Sequence, residues 1–210
     1  MKVEVLSVTP AAEKIVEEAG RTCYRSESKI NGGSKQGFIK RLIAAGHFSV
    51  LEHASVTIRL SGISRALTHQ LVRHRLCSFS QQSQRYVKEE KFDYNTPPSI
   101  GSDKDALNIY NDCMEYLSGV YSKLLSIGIL KEDARYVLPN ACATQIVFTA
   151  NFRQLRRMIS LRGEKKAQWE IREVFIKILE QMKNIAPNCF FDLETDYKKR
   201  TVSSAVSDRE

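Results

Sequence analysis

The chain is 210 residues long and 42% hydrophobic, with ten glycines and five prolines; this suits one folded domain and excludes a disordered chain. Its formal charge of +8 favours an anionic partner such as a nucleotide, a nucleic acid or a membrane surface. Five cysteines (Cys23, Cys77, Cys113, Cys142 and Cys189) form an odd, scattered set with no Cys-x-x-Cys pair, which argues against a disulfide framework or a zinc site and fits a reducing cytoplasm.

Val3, Val5, Leu6 and Val8 predict an opening strand whose charged start is unlike a signal peptide. Pro10 starts a short helix that Gly20 is expected to end, and residues 30–34 read as a loop around Gly32-Gly33. A helix over 36–45 stops at Gly46. The alternation of Val56, Ile58 and Leu60 predicts a strand over 54–60. Ile63, Leu67 and Leu71, four apart, predict an amphipathic helix over 63–76. Residues 78–101 lack periodicity, and Pro97-Pro98 break the chain.

A long helix is expected from about 105 to 127, ended by Gly128, and a short one runs up to Leu138, where Pro139 disfavours more helix. Residues 144–149 are β-branched and aromatic, a strand. Asn151 is placed to cap a helix that reaches Leu161 and is closed by Gly163. A last amphipathic helix spans 166–185, and the polar stretch 198–210 is expected to fray. No apolar run approaches the ~18 residues of a membrane span. The class is α+β: a single domain over 1–195, a β-sheet packed with helices plus a long helical insertion at about 103–138, and a polar tail over 196–210.

Residues 73–86 hold the densest chemistry. Arg73, His74 and Arg75 stand together, and after seven residues come Ser83 and then Arg85, with no Asp or Glu between. Arginine forks grip phosphate and carboxylate oxygens, while hydroxyls and amides orient a ligand through neutral hydrogen bonds. On the expected helix, Gln70, Arg73 and His74 share a face at i, i+3 and i+4; the bland alternative is a solvated basic last turn. A second group comprises Arg135, Asn151, Arg153, Arg156, Arg157 and Arg162, with Asn151 at a helix N-terminus suited to phosphate and a basic surface face as the alternative.

All four histidines lie between residues 47 and 74, but the spacing of His47, Glu52 and His53 fits no zinc motif, and no metal is expected. There is no Gly-x-Gly-x-x-Gly and no Walker loop, so any dinucleotide must be held by side chains. Cys77 and Cys142 are potential nucleophiles, Cys77 with Arg75 close enough in sequence to lower its pKa, although buried structural cysteine is the plainer reading of both.

The Arg73-His74-Arg75 triplet with Ser83 seven residues on resembles the signature of flavin-dependent thymidylate synthases. Gly46-His47, Leu51-Glu52-His53, Gln84-Arg85-Tyr86, Arg135 with Val137-Leu138-Pro139, and Leu161-Arg162 before Ala167-Gln168-Trp169-Glu170-Ile171 are similar to that family in order and rough spacing, over about residues 1–195. The resemblance implies reductive methylation of dUMP to dTMP, with 5,10-methylenetetrahydrofolate as carbon donor and NADPH reducing FAD. It also implies a homotetramer with sites shared between subunits; a cytoplasmic location is expected from the cysteines, and no nucleic-acid or membrane partner is expected.

By the same resemblance Ser49, Arg73, His74, Arg75, Gln81, Asn151, Arg153 and Arg157 contact FAD. Gln70, Arg73, Gln82, Ser83, Gln84, Arg85 and Arg135 hold dUMP, with Arg85 and Arg135 on its phosphate. Arg162 lies against the pyrimidine as the catalytic group, stabilising negative charge at N3 and O2 as C5 becomes nucleophilic. Gln81 stands where some relatives carry Glu, so no acid–base role is expected there; Arg157 stands where others have His or Asn. Two alternatives remain open. A hydroxymethylated product keeps the same ligands. A basic nucleic-acid-binding module explains the charge, but not the His-rich loop or the serine–glutamine run.

Overall fold

The opening strand forms as expected: β1 (Lys2–Val8) begins the computed structural model, which describes residues 1–206. The helices α1 (Ala12–Cys23) and α2 (Ser34–Ala44) follow, and a 3-10 turn over Phe48–His53 leads into β2 (Ser55–Ser64). Then come α3 (Arg65–Leu71), β3 (Cys77–Gln81), the single-turn α4 (Pro98–Gly101), the long α5 (Lys104–Ser126) and the short α6 (Lys131–Ala134). After a 3-10 turn at Arg135–Val137, β4 (Ala143–Asn151), α7 (Phe152–Gly163), α8 (Trp169–Ile185) and the hairpin strands β5 (Leu193–Asp196) and β6 (Thr201–Ser204) complete the chain. Strands β1, β2, β4 and β3 form one sheet in that order, and β5 pairs antiparallel with β6, so the expected α+β class is observed.

The chain divides into two compact units, each assembled from separate stretches. One comprises Met1–Lys2, Leu60–Gln70 and Ser80–Ile146; the other comprises Val3–Arg59, Leu71–Phe79 and the chain from Val147 onward.

In the second of these units α7 packs on α8, and α1 on α2. Val56 and Ile58 are fully buried, as their alternation predicts, and Thr57 and Thr149 on the adjacent strand share a 2.9 Å hydrogen bond. Asn151 caps α7 by accepting the Gln154 N–H at 2.8 Å, which satisfies one of the orphan donors of the first turn. Arg156, 2% exposed, donates to both carboxylate oxygens of Asp192 at 2.8 Å and to the Cys189 carbonyl at 2.6 Å. This buried pair ties α7 to the segment leading into β5. In the first unit α5 packs against α4 and α6, and Phe92, Met114 and Cys142 form a small core with Tyr94 and Tyr110 against it.

Four expectations are corrected. Residues 63–76 are not one helix: Ile63 and Ser64 remain in β2, and Ser64 Oγ accepts the Leu67 N–H at 3.1 Å, so the helix starts at Arg65. It ends at Leu71, because no later apolar side chain turns inward; Val72 and Leu76 are exposed. Arg73, His74 and Arg75 therefore lie in the turn before β3, and the shared helical face with Gln70 does not exist.

Gly20 does not end α1 but lies inside it. A Cβ there would come within 2.8 Å of Leu42 and Phe38, so the glycine permits the close approach of α2. Residues 78–81, at the start of the stretch read as aperiodic, belong to β3. The tail is not frayed over 201–204: β6 pairs with β5, and Val202 is buried against Gly163, where a Cβ would sit 2.5 Å from that of Val202. Residues 207–210 of the expected tail lie outside the described residues. No helix among the described residues is long and apolar enough to cross a membrane.

Candidate active site

In the unit containing α7, the turn after α3 presents Arg73 and Arg75 to solvent while His74 is buried at 8% exposure. Arg162, near the end of α7, donates its Nε–H to His74 Nε2 at 2.9 Å. Burial, and then the charges of Arg162 and Arg157, push the His74 pKa down to about 4. The imidazole is thus neutral, and because Nε2 accepts, its proton is on Nδ1. Arg162 is itself half-buried, and burial and the charge of Arg73 lower its pKa; a guanidinium nonetheless stays protonated. Arg162 and Arg157 thus place positive charge beside a neutral acceptor, and Arg73 places its own beside Arg162.

The same unit holds Ser49, exposed in the 3-10 turn Phe48–His53, and Arg153, whose Nη1 meets Glu52 of that turn at 2.5 Å. Asn151 spends its side-chain oxygen on the cap of α7. Exposed guanidinium groups, a hydroxyl and a capped helix N-terminus are the donors that a pyrophosphate-bearing flavin nucleotide requires, and this donor set fits FAD.

In the other unit the residues expected to hold the nucleotide fall into two connected groups. Arg85 reaches Glu132 Oε2 through Nε at 3.0 Å and through Nη2 at 2.9 Å; the side-chain hydrogen bond and the charge of Glu132 raise its pKa. Arg135 Nε donates to the Glu132 carbonyl at 3.0 Å, so one residue draws both arginines together. Ser83 Oγ accepts the Arg85 N–H at 3.2 Å, which turns the chain at this point. Gln81, expected on FAD, lies in this unit as well and donates to Thr68 Oγ1 at 3.0 Å, and Gln82 donates to Glu89 Oε1 at 2.9 Å. Arg65, whose pKa is lowered by burial and by Arg135, donates to the Gln82 carbonyl at 3.2 Å. Gln70 is half-buried at the end of α3, and Gln84 is buried.

Glu132, Glu89 and Arg65 are the participants that sequence reasoning missed. The Glu132-x-x-Arg135 spacing on a short helical stretch was a usable signal for the first; nothing local marked the other two.

The thiols are poor nucleophiles. Burial pushes Cys77 up to about 11, partly opposed by a hydrogen bond with Gln154, and pushes Cys142 up to about 12. Arg75 does not activate Cys77; the Cys77 Sγ instead lies 3.5 Å from the Met158 sulfur. Among the described residues no group of three His, Cys, Asp or Glu side chains is placed to hold a metal ion, and Glu52 is engaged by Arg153.

Residues 4–188 match the family model described as thymidylate synthase complementing protein. The chain is 41% identical to the flavin-dependent thymidylate synthase of Clostridium tetani (strain Massachusetts / E88), over 90% of this chain and 85% of the relative. It is 40% identical to that of Geobacter sulfurreducens, over 91% of this chain and 86% of the relative. The Mycobacterium tuberculosis H37Rv protein of the same name is 42% identical, over 86% of this chain and 79% of its own. With matches of this extent, the chain belongs to the flavin-dependent thymidylate synthase family.

Proposed function

We propose that this enzyme converts dUMP to dTMP, taking the one-carbon unit from 5,10-methylenetetrahydrofolate and a hydride from NADPH, with FAD as the carrier between NADPH and the new methyl group. The observation that carries this reading is the hydrogen bond from Arg162 to a neutral His74 inside a cluster of guanidinium groups. When bound, FAD supplies the two-electron chemistry that the chain's raised-pKa thiols cannot.

Ser49, Arg73, His74, Arg75, Gln81, Asn151, Arg153 and Arg157 hold the flavin in this reading. Arg85 and Arg135 bind the 5′-phosphate of dUMP, Arg85 exchanging its contact with the Glu132 carboxylate for phosphate oxygens of the same geometry. Gln70, Arg73, Gln82, Ser83 and Gln84 orient the sugar and base. Arg162 stabilises negative charge at N3 and O2 of the uracil as C5 attacks the methylene carbon; the carbon's bonds to folate nitrogen break, the C5 proton leaves to solvent, tetrahydrofolate departs, and the hydride would complete the methyl group. The hydrogen bond from Nε to His74 helps to fix the direction of the Arg162 guanidinium while the charge develops.

The protein acts as a homotetramer in the cytoplasm, a location that fits five cysteines carried as thiols. Self-association is supported by α5, where Ile109, Cys113 and Tyr116 stand exposed at i, i+4 and i+7 along one face. The test of the reaction is direct: the purified protein binds FAD and forms dTMP only when dUMP, methylenetetrahydrofolate and NADPH are all present. A protein that binds no FAD would overturn the reading.

A further inference from the structure

Gln82 is held at three points before any ligand is considered. Its N–H donates to the Gln145 carbonyl at 3.0 Å, its carbonyl accepts from Arg65 Nη1 at 3.2 Å, and its side-chain nitrogen donates to Glu89 Oε1 at 2.9 Å. Glu89 is anchored in turn, its own N–H donating to the hydroxyl of the fully buried Tyr121 at 3.4 Å. Gln82 and Glu89 line one cavity of about 280 Å3, together with Thr144, Gln145, Lys88 and Lys91.

An ionised carboxylate can only accept hydrogen bonds, so the amide end facing Glu89 must be the nitrogen. Burial raises the Glu89 pKa, while the Gln82 amide and the charge of Arg65 oppose that rise and Asp93 adds to it. The 2.9 Å contact from the Gln82 amide nitrogen to Oε1, with Arg65 as a nearby cation, sets the amide's direction.

We propose that Glu89 is a positioning residue that turns the Gln82 amide so that its oxygen, not its nitrogen, is offered to the nucleotide. Resting on the assignment of Gln82 to dUMP, this makes Gln82 an acceptor for a nucleotide donor away from the phosphate. dUMP has two such donors, the uracil N3–H and the 3′-hydroxyl. A pyrimidine nucleotide that lacks the matching donor is discriminated against, because the half-buried acceptor would lose its partner.

The test uses the FAD-loaded enzyme and three ligands: dUMP, 2′,3′-dideoxyuridine 5′-monophosphate and the N3-methyl derivative of dUMP. The parent enzyme should bind one of the two analogues about tenfold or more weakly than dUMP. In Glu89→Gln, whose amide can face Gln82 by either end, that gap should shrink to about threefold or less, with dUMP itself binding several-fold more weakly and the loss appearing in KM rather than kcat. Glu89→Asp, which keeps an acceptor-only side chain, should retain more of the gap than Glu89→Gln.

Two results overturn the proposal: a parent enzyme that binds both analogues as tightly as dUMP, or a Glu89→Gln variant with the parent's full gap. Failure of the underlying assignment looks different. Gln82→Ala would then bind dUMP as the parent does, whereas a Gln82→Ala variant weakened for dUMP beside an unaffected Glu89→Gln sinks only the positioning role.

Discussion

Arg162 and His74, 88 positions apart in the chain, meet through one hydrogen bond of 2.9 Å from Nε to Nε2. That bond needs an unprotonated nitrogen on the histidine, and the burial of His74 and the charges of Arg162 and Arg157 supply the condition. The guanidinium is thereby held at its Nε by a neutral partner. A guanidinium oriented in advance is the kind of group that stabilises a developing anion.

The pH dependence follows in sign. The folded state refuses a proton at His74 until about pH 4, whereas the unfolded chain takes it up near 6.5. Between those values the unfolded state binds more protons, so the stability contributed by this site falls as pH drops from 6.5 toward 4. Urea unfolding of the parent and of His74→Gln from pH 8 to pH 4 measures it. The parent should lose stability relative to the variant across that window; parallel curves would refute the assignment.

Arg162→Ala should lower dTMP formation at saturating substrates by 10²–10³-fold, about 2.7–4 kcal/mol, the scale of losing one preorganised donor to a developing anion. FAD absorbance of the purified variant checks that the cofactor is still held. Turnover at the parent rate would remove Arg162 from the mechanism.

Arg85→Ala should weaken dUMP binding and leave deoxyuridine binding nearly as in the parent, since only the phosphate contact is lost. Calorimetric titration with each ligand reads the difference. If the parent bound both ligands equally, neither Arg85 nor Arg135 would be phosphate residues.

Arg156→Met should destabilise the protein by about 3–5 kcal/mol, because it strands Asp192 as a buried, uncompensated charge. Replacing both residues with apolar ones of similar volume should recover much of that loss. Denaturant midpoints of the single and double variants decide it, and a single variant as stable as the parent would contradict the buried-pair argument.

Much of this was legible where the cause is local. The cap at Asn151 shows in a polar residue directly before an apolar period, and the buried face of β2 shows in the alternation of Val56, Ile58 and Leu60. Where the cause is distant, the sequence is silent. Ile63, Leu67 and Leu71 are all buried, but a strand end and a two-turn helix place them there, and spacing alone cannot tell that from one longer helix. Val202 looks like part of a polar tail because the glycine that receives it lies 39 residues earlier, at Gly163.

The site divides in the same manner. Its arginines and glutamines stand in a recognisable order, whereas the carboxylates that aim them do not: Glu132 lies 47 residues from Arg85. Glu89 is nearer in sequence to Gln82, but in a stretch without periodicity.

The identity of the product tests the central claim most directly. FAD-loaded enzyme, incubated without oxygen with dUMP, methylenetetrahydrofolate and NADPH, should yield dTMP in proportion to NADPH consumed, and none when any one component is omitted. A hydroxymethylated nucleotide, or flavin turnover that leaves dUMP unchanged, would contradict it.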